Sequence, residues 1–106
     1  MTVISIKSKE AKEMIDNNRI DLIIDLRSKE NYEKGHLPEA INISINEIPD
    51  NLEYLSRYKD CCILLYCGIG SQSISAGKVL ILNGFNKIYS LSNGIKEYKF
   101  HFEINE

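Results

Sequence analysis

The sequence predicts an α/β fold built on a mainly parallel β-sheet. Two apolar runs, residues 22–24 and 63–66, are continuous rather than alternating, which is typical of strands that are covered on both faces. Segments with helical spacing lie between such runs, and strands that alternate with helices favour βαβ units. The chain has 106 residues, the size of one domain, so we predict a single domain over residues 1–106.

Five strands are predicted from short apolar segments that are bounded by polar or turn residues. In chain order they span residues 3–6, 22–24, 40–43, 63–66 and 87–90. The third carries the weakest signal, because it is short and follows a turn-rich stretch. The second and fourth are expected to be covered on both faces of the sheet, since their apolar runs are unbroken.

Four helices are predicted between these strands, and they span residues 8–17, 28–35, 47–58 and 73–83. Ser8 and Ser28 are candidate N-caps, because a serine side-chain oxygen can accept a hydrogen bond from a first-turn N–H group. Pro49 is acceptable near the start of the third helix. Gly84 is a C-terminal stop for the fourth helix, which has the clearest pattern.

Composition and charge narrow the classes of partner. The formal net charge of -2 argues against a nucleic-acid partner, which would favour a basic face. No segment approaches the roughly 20 apolar residues of a membrane span, and the first residues do not resemble a signal peptide. The three cysteines, two of them adjacent, do not suggest a disulfide framework. We therefore expect a cytoplasmic protein with neither a nucleic-acid nor a membrane partner.

The main chemical signal is Cys67, which directly follows the predicted strand 63–66. Open parallel sheets bind ligands beyond the carboxyl ends of their strands. The residues that follow the cysteine are Gly68, Ile69, Gly70, Ser71, Gln72 and Ser73. Glycines let the backbone curl into a nest of N–H groups for an anion, and the next helix N-terminus adds positive potential. A cysteine over such a loop is expected to be a competent nucleophile, although a cysteine ending an apolar strand is more often buried and inert.

Asp25 and Arg27 follow the other unbroken apolar run and are interpreted as supporting residues. A partly buried ion pair, or hydrogen bonds to the backbone, would brace the neighbouring loop. Two histidines and three cysteines lack any zinc-ligand spacing, so no metal site is predicted. The pair Gly68-x-Gly70 lacks the third glycine, and the Gly-Lys-Ser/Thr end, of nucleotide-binding loops.

Several short motifs occur in an order that resembles the rhodanese-like family. They are Asp25-x-Arg27, Gly35-His36-x-Pro38, Tyr66-Cys67-x-x-Gly70 with Ser73 and Ala76, and Gly84-Phe85 with Gly94-Ile95. Each motif is weak alone, and the signal lies in their common order and spacing from about residue 3 to residue 98. The resemblance implies a three-layer fold, with a five-stranded parallel sheet of order 3-2-4-5-1 and helices on both faces.

The same resemblance implies a sulfurtransferase. The family's cysteine attacks the outer sulfur of a donor such as thiosulfate, becomes a persulfide, and passes that sulfur to a thiophilic acceptor. By position Cys67 is the nucleophile, and the amides of residues 68–73 hold the sulfur. The partners implied are a small sulfur donor and a thiol acceptor, of which a protein is one candidate, and no cofactor is implied.

Two loop positions depart from the family pattern. Arginine is common at the position of Gln72, and many active members have another at the position of Gly68. Each charge-assisted hydrogen bond is worth roughly 1.5–3 kcal/mol, so weak use of thiosulfate is expected. Gln72 also disfavours phosphatases and arsenate reductases, which use Cys-x5-Arg. Two alternatives stay open: a catalytically impaired binding or regulatory module, and a redox-sensing thiol domain.

Overall fold

The computed structural model describes residues 2–98, and within that range five parallel strands form one sheet. They are β1 (Ile4–Ile6), β2 (Leu22–Asp25), β3 (Ile41–Asn42), β4 (Ile63–Tyr66) and β5 (Ile88–Leu91). Their order is β1-β5-β4-β2-β3, and every neighbouring pair is parallel. This is the predicted order 3-2-4-5-1 taken from the other edge, so the predicted topology is confirmed.

Four α-helices connect the strands within the described residues. They are α1 (Ser8–Asp16), α2 (Lys29–Lys34), α3 (Leu52–Leu55) and α4 (Ser71–Leu82). Short 3-10 helices lie at Ile45–Glu47, Pro49–Asn51, Ser56–Tyr58 and Ile95–Glu97. None of the described helices is long and apolar enough to cross a membrane.

Two apolar clusters pack on opposite faces of the sheet. Ile63 and Leu65 of β4 belong to the cluster that includes residues of α3 and α4. Leu64 and Tyr66 belong to the other cluster, which includes residues of α1. Because side chains alternate along a strand, a strand covered on both faces needs an apolar residue at every position. The unbroken run in β4 meets that need, and the predicted three-layer arrangement is confirmed.

The predicted helix over residues 47–58 is wrong as a continuous element. α3 is a single turn, and 3-10 helices precede and follow it. Pro49 has no backbone N–H to donate, and the chain beside it is tightened by a hydrogen bond from Asn51 N–H to the Ile48 carbonyl oxygen at 3.0 Å.

The two predicted serine N-caps have different outcomes. Ser28 caps α2, because its side-chain oxygen accepts the N–H of Asn31 at 3.2 Å. Ser8 does not cap α1, since the helix already includes it and Lys7 occupies the N-cap position without a side-chain hydrogen bond. Helix α1 therefore begins one residue earlier than an N-cap at Ser8 would place it.

Candidate active site

The segment after β4 places Cys67 at the carboxyl edge of the sheet. Between this cysteine and Ser71, the first residue of α4, the chain reverses through a short glycine-containing loop. Gly70 is the N-cap of α4 with a φ of 103°, a conformation that side chains with a Cβ rarely adopt. A Cβ at this position would also lie 3.0 Å from the backbone nitrogen of Asn93. Because Gly70 makes the turn, α4 begins two residues earlier than predicted.

The sulfur of Cys67 lies inside this turn. The residue is 1% exposed, and its Sγ accepts a hydrogen bond from the N–H of Gly70 at 3.2 Å. Among the described residues this is the one hydrogen bond to the sulfur, so the predicted ring of amides is represented by a single direct contact. The first N–H groups of α4 have no partner within the helix, and they add positive potential at the same end.

Gly68 and Gln72 line an open cleft beside the cysteine. The cleft has a volume of about 940 Å³, and its other walls come from the start of α2 and from Ile45–Glu47. A Cβ at Gly68 would find no atom within 4 Å, so this position has room for a side chain. The cleft is within the size range of pockets that hold small organic ligands.

The other predicted loop residues fall into two groups. Ile69 and Ser71 are exposed, and Ile69 is 67% exposed despite its apolar side chain. Ser73 is fully buried, and its hydroxyl donates to the carbonyl oxygen of Gly70 at 2.8 Å. Ser73 therefore contacts the loop from inside the protein and does not line the cleft.

Asp25 and Arg27 form an ion pair that braces the residue before Cys67. The Asp25 carboxylate is fully buried and lies 2.7 Å from Nη2 of Arg27, which also donates to the Gly35 carbonyl oxygen. The Tyr66 hydroxyl donates to the same carboxylate at 2.7 Å. Burial raises the pKa of Tyr66, and the charge of Asp25 raises it further, so Tyr66 stays protonated as a donor.

A second brace comes from the chain after β5 and was missed by sequence reasoning. The Ile95 N–H donates to the Cys67 carbonyl oxygen at 2.9 Å, and the Lys96 N–H donates to the Gly68 carbonyl oxygen at 3.3 Å. Gly94 has a φ of 69°, and a Cβ there would overlap the Gly68 carbonyl group. The Gly94-Ile95 motif marked the glycine, but nothing local in the sequence indicated which loop it contacts.

The remaining cysteines lie at the opposite edge of the sheet. Cys61 and Cys62 are half-buried and immediately precede β4. The described part of the chain contains no group of three or more His, Cys, Asp or Glu side chains that could hold a metal ion.

The fold and the site together define a three-layer α/β protein with a cysteine-centred loop at the carboxyl edge of its sheet. The family model of the rhodanese-like domain matches residues 7–101 of the chain. The chain belongs to the rhodanese-like domain family.

Relatives within this family carry different functions. The thiosulfate sulfurtransferase GlpE of Coxiella burnetii is 31% identical over 97 residues, which cover 92% of this chain and 88% of that protein. The tRNA uridine(34) hydroxylase of Buchnera aphidicola is 29% identical over 97 residues, which cover 88% of this chain but 31% of that protein. The chain therefore spans less than a third of the length of this second relative.

Two solved structures share the fold over nearly their whole length. A rhodanese-like domain protein from Staphylococcus aureus has a TM-score of 0.85 at 26% identity, covering 98% of this chain and 100% of that chain. A protein from Staphylococcus saprophyticus has a TM-score of 0.84 at 28% identity, covering 95% of this chain and 99% of that chain. The chain thus resembles stand-alone proteins as well as one part of a larger enzyme.

Proposed function

We propose that this protein is a sulfurtransferase that carries sulfur on Cys67 as a persulfide. The observation that supports this most directly is the Gly70 N–H, which donates to the Cys67 sulfur at 3.2 Å. Hydrogen bonds to ionised acceptors are about twice as strong as those between neutral groups, so this donor stabilises a negatively charged sulfur. The thiolate is the nucleophilic form of cysteine, and the Gly70 N–H points at the sulfur atom that would carry its charge.

The proposed reaction consists of two displacements. The Cys67 thiolate attacks the outer sulfur of the donor and forms a sulfur–sulfur bond with it. The bond between that sulfur and the rest of the donor breaks, and its electron pair leaves with sulfite from thiosulfate or with a thiolate from an organic persulfide. A thiophilic acceptor then attacks the outer sulfur, and the electron pair of the broken bond returns to Cys67. Atoms and charges balance without an oxidant, a reductant or a cofactor.

The loop favours organic persulfides over thiosulfate as donors. Residues 68–73 include no charged side chain, whereas the family pattern commonly has arginine at the positions of Gly68 and Gln72. A dianion loses roughly 1.5–3 kcal/mol for each missing charge-assisted hydrogen bond, which is about 10- to 100-fold in affinity. The cleft of about 940 Å³ leaves room for the organic part of a persulfide donor or for a thiol acceptor, including one on a protein.

Steady-state transfer to cyanide from two donors tests the proposal. We expect kcat/KM with 2-mercaptoethanol persulfide to exceed that with thiosulfate by at least about 10-fold. Cys67→Ser should be inactive with both donors. If the folded protein transfers sulfur from neither donor, a non-enzymatic binding or regulatory module becomes the better account. Reversible oxidation of Cys67 by peroxide, without sulfur uptake, would instead support a redox-sensing thiol.

A further inference from the structure

Two buried hydroxyl groups lie beneath the Cys67 loop, and the proposed reaction does not use them. Ser73 of α4 and Ser90 of β5 are both fully buried, and their Oγ atoms are 2.6 Å apart. Buried hydroxyls are unfavourable unless they form hydrogen bonds, and these two satisfy each other. The Ser73 Oγ also lies 2.8 Å from the carbonyl oxygen of Gly70.

The available donors and acceptors fix the direction of these hydrogen bonds. A carbonyl oxygen only accepts, so the proton of Ser73 points to Gly70. Each hydroxyl has one proton, so the bond between the two serines is donated by Ser90. The hydrogen bonds therefore run from Ser90 to Ser73 and from Ser73 to Gly70.

Ser90 offers a rigid point of attachment for this series of hydrogen bonds. It lies on β5, between β1 and β4, where it is in register with Ser5 on one side and Leu65 on the other. Strands in the middle of a sheet are held by backbone hydrogen bonds on both sides. The Ser90 hydroxyl thus links the loop to one of the inner strands of the sheet.

We propose that Ser73 and Ser90 are positioning residues that set the reactivity of Cys67. This inference rests on the sulfurtransferase function proposed above. Gly70 donates the N–H that meets the sulfur, and as a glycine with a φ of 103° it has no Cβ to restrict its backbone, so its contacts with neighbouring groups set its orientation. The Ser73 hydroxyl anchors the carbonyl group of Gly70, and Ser90 anchors Ser73. Neither serine lines the cleft, so both act through the orientation of Gly70.

Three substitutions and one matched control test this proposal. Ser90→Ala removes the distal hydroxyl without changing any residue of the loop, Ser73→Ala removes both hydrogen bonds, and Ser90→Thr keeps a hydroxyl. Ile88→Val is the control, because Ile88 is 1% exposed on the same strand and has no polar group. The measurements are single-turnover sulfur uptake against the concentration of 2-mercaptoethanol persulfide, and the NMR signal of the Gly70 amide.

In both alanine variants we expect the rate constant at saturating donor to fall about 3- to 10-fold, because the hydrogen bond to the charged sulfur is weakened. The half-saturating donor concentration should not change, since neither hydroxyl contacts the donor. The Gly70 amide signal should shift in both variants. Ser90→Thr should restore the rate to within about 2-fold of the wild type, and Ile88→Val should leave both the rate and the Gly70 signal unchanged.

An unchanged rate and Gly70 signal in the folded Ser90→Ala variant would overturn the inference, even if Ser73→Ala fails to fold. An equal loss of rate in Ile88→Val would overturn it as well, because the effect would then follow stability alone. Failure of the proposed function is distinguishable from both outcomes. In that case the wild type takes up no sulfur at all, while the Gly70 signal still shows whether the serines position the loop.

Discussion

Cys62 and Cys67 directly flank strand β4, and their two thiols meet different surroundings. At the amino end Cys62 is half-buried, and its backbone N–H donates to the carboxylate of the exposed Asp21 at 2.8 Å. Burial raises the pKa of the Cys62 thiol above its ordinary value, and the charge of Asp21 raises it further. At the carboxyl end Cys67 is almost fully buried, and its sulfur accepts the N–H of Gly70.

The difference comes from the chain that follows each cysteine. Cys62 leads into β4, whose backbone groups are committed to the neighbouring strands. Cys67 leads into a loop with two glycines and then into the N-terminus of α4. Within the described part of the chain, a backbone N–H therefore donates to a cysteine sulfur at only one end of β4, the end at which parallel sheets bind ligands. The comparison shows that position in the sheet, more than residue type, distinguishes the candidate nucleophile.

The largest expected effect is on sulfur transfer when each cysteine is replaced in turn. Cys67→Ser should lower the rate on the order of 10³-fold or more, because it removes the nucleophile. Cys62→Ser should leave the rate within about 2-fold of the wild type, since it changes only the opposite edge. Transfer to cyanide from an organic persulfide measures both. A comparable loss of transfer rate in the two variants would show that Cys67 is not the specific nucleophile.

Strand β2 offers a second contrast, because an aspartate lies at each of its ends. Asp25→Asn should lower the free energy of unfolding by about 3–5 kcal/mol, since it leaves the Arg27 guanidinium without its buried partner. Asp21→Asn should cost no more than about 0.5 kcal/mol, because that carboxylate is exposed. Urea denaturation of both variants checks this. Equal losses would show that Asp25 is not a buried brace.

Two glycines with positive φ allow a similar comparison, because Gly94 contacts the Cys67 loop and Gly84 lies beside the Lys59 side chain. Gly94→Ala should lower the free energy of unfolding by about 2–4 kcal/mol, because the new Cβ overlaps the backbone of the Cys67 loop. The same overlap should lower the rate of sulfur transfer. Gly84→Ala should cost only about 1–2 kcal/mol and leave transfer unchanged, since its nearest neighbour is the end of the Lys59 side chain at 3.6 Å. Chemical denaturation measures the stability of the two variants, and transfer to cyanide measures their activity. Wild-type activity in Gly94→Ala would show that the second brace does not hold the loop.

A smaller effect is expected when a cation is added to the loop. Gln72→Arg should raise kcat/KM with thiosulfate about 10- to 100-fold, from roughly 1.5–3 kcal/mol of added stabilisation. The 2-mercaptoethanol persulfide should respond far less, because it carries at most one negative charge and is not a dianion. Ser75→Arg is the matched control, since Ser75 is exposed on the same helix and lies outside the loop. An equal gain with both donors would point to altered folding instead of charge.

The smallest expected effect concerns the pH dependence at the amino end. Because the pKa of Cys62 is raised above its ordinary value, its thiolate fraction at neutral pH lies below that of an ordinary cysteine. Alkylation of Cys62 should therefore be slow near neutral pH and accelerate only as the pH rises towards this raised pKa. Asp21→Asn should speed it at a given pH, because removing the negative charge lowers the pKa. Peptide mapping after alkylation measures this, with a short cysteine peptide as the reference, and neutral-pH labelling as fast as that peptide would contradict it.

Local sequence features predicted the parts of the fold that depend on local rules. The apolar run 63–66 indicated a strand covered on both faces, and Ser28 indicated a helix start, because both effects act within a few residues. The strand order came from the family resemblance and not from periodicity. The backbone contacts of Ile95 and Lys96 with the loop could not be predicted, since they join segments that are far apart in the chain.

Ser73 shows how the face of a helix determines what a residue near a site contacts. The sequence predicts that its amide helps to hold the sulfur and that α4 begins at Ser73, whereas α4 begins at Ser71. A helix has 3.6 residues per turn, so Ser73 lies on the same face as Ala76 and Leu80, which are buried. Ser73 consequently faces Ser90 inside the protein, and Gln72 lines the cleft.

The most direct test of the proposed role of Cys67 is the location of sulfur after one exposure of the wild-type protein to an organic persulfide. Cleavage after Tyr66 with chymotrypsin and mass spectrometry then compare the peptide that contains Cys67 with the peptide that contains Cys61 and Cys62. We expect the Cys67 peptide to gain one sulfur atom and the other peptide to gain none. Sulfur spread over both peptides, or absent from Cys67 in the folded protein, would contradict it.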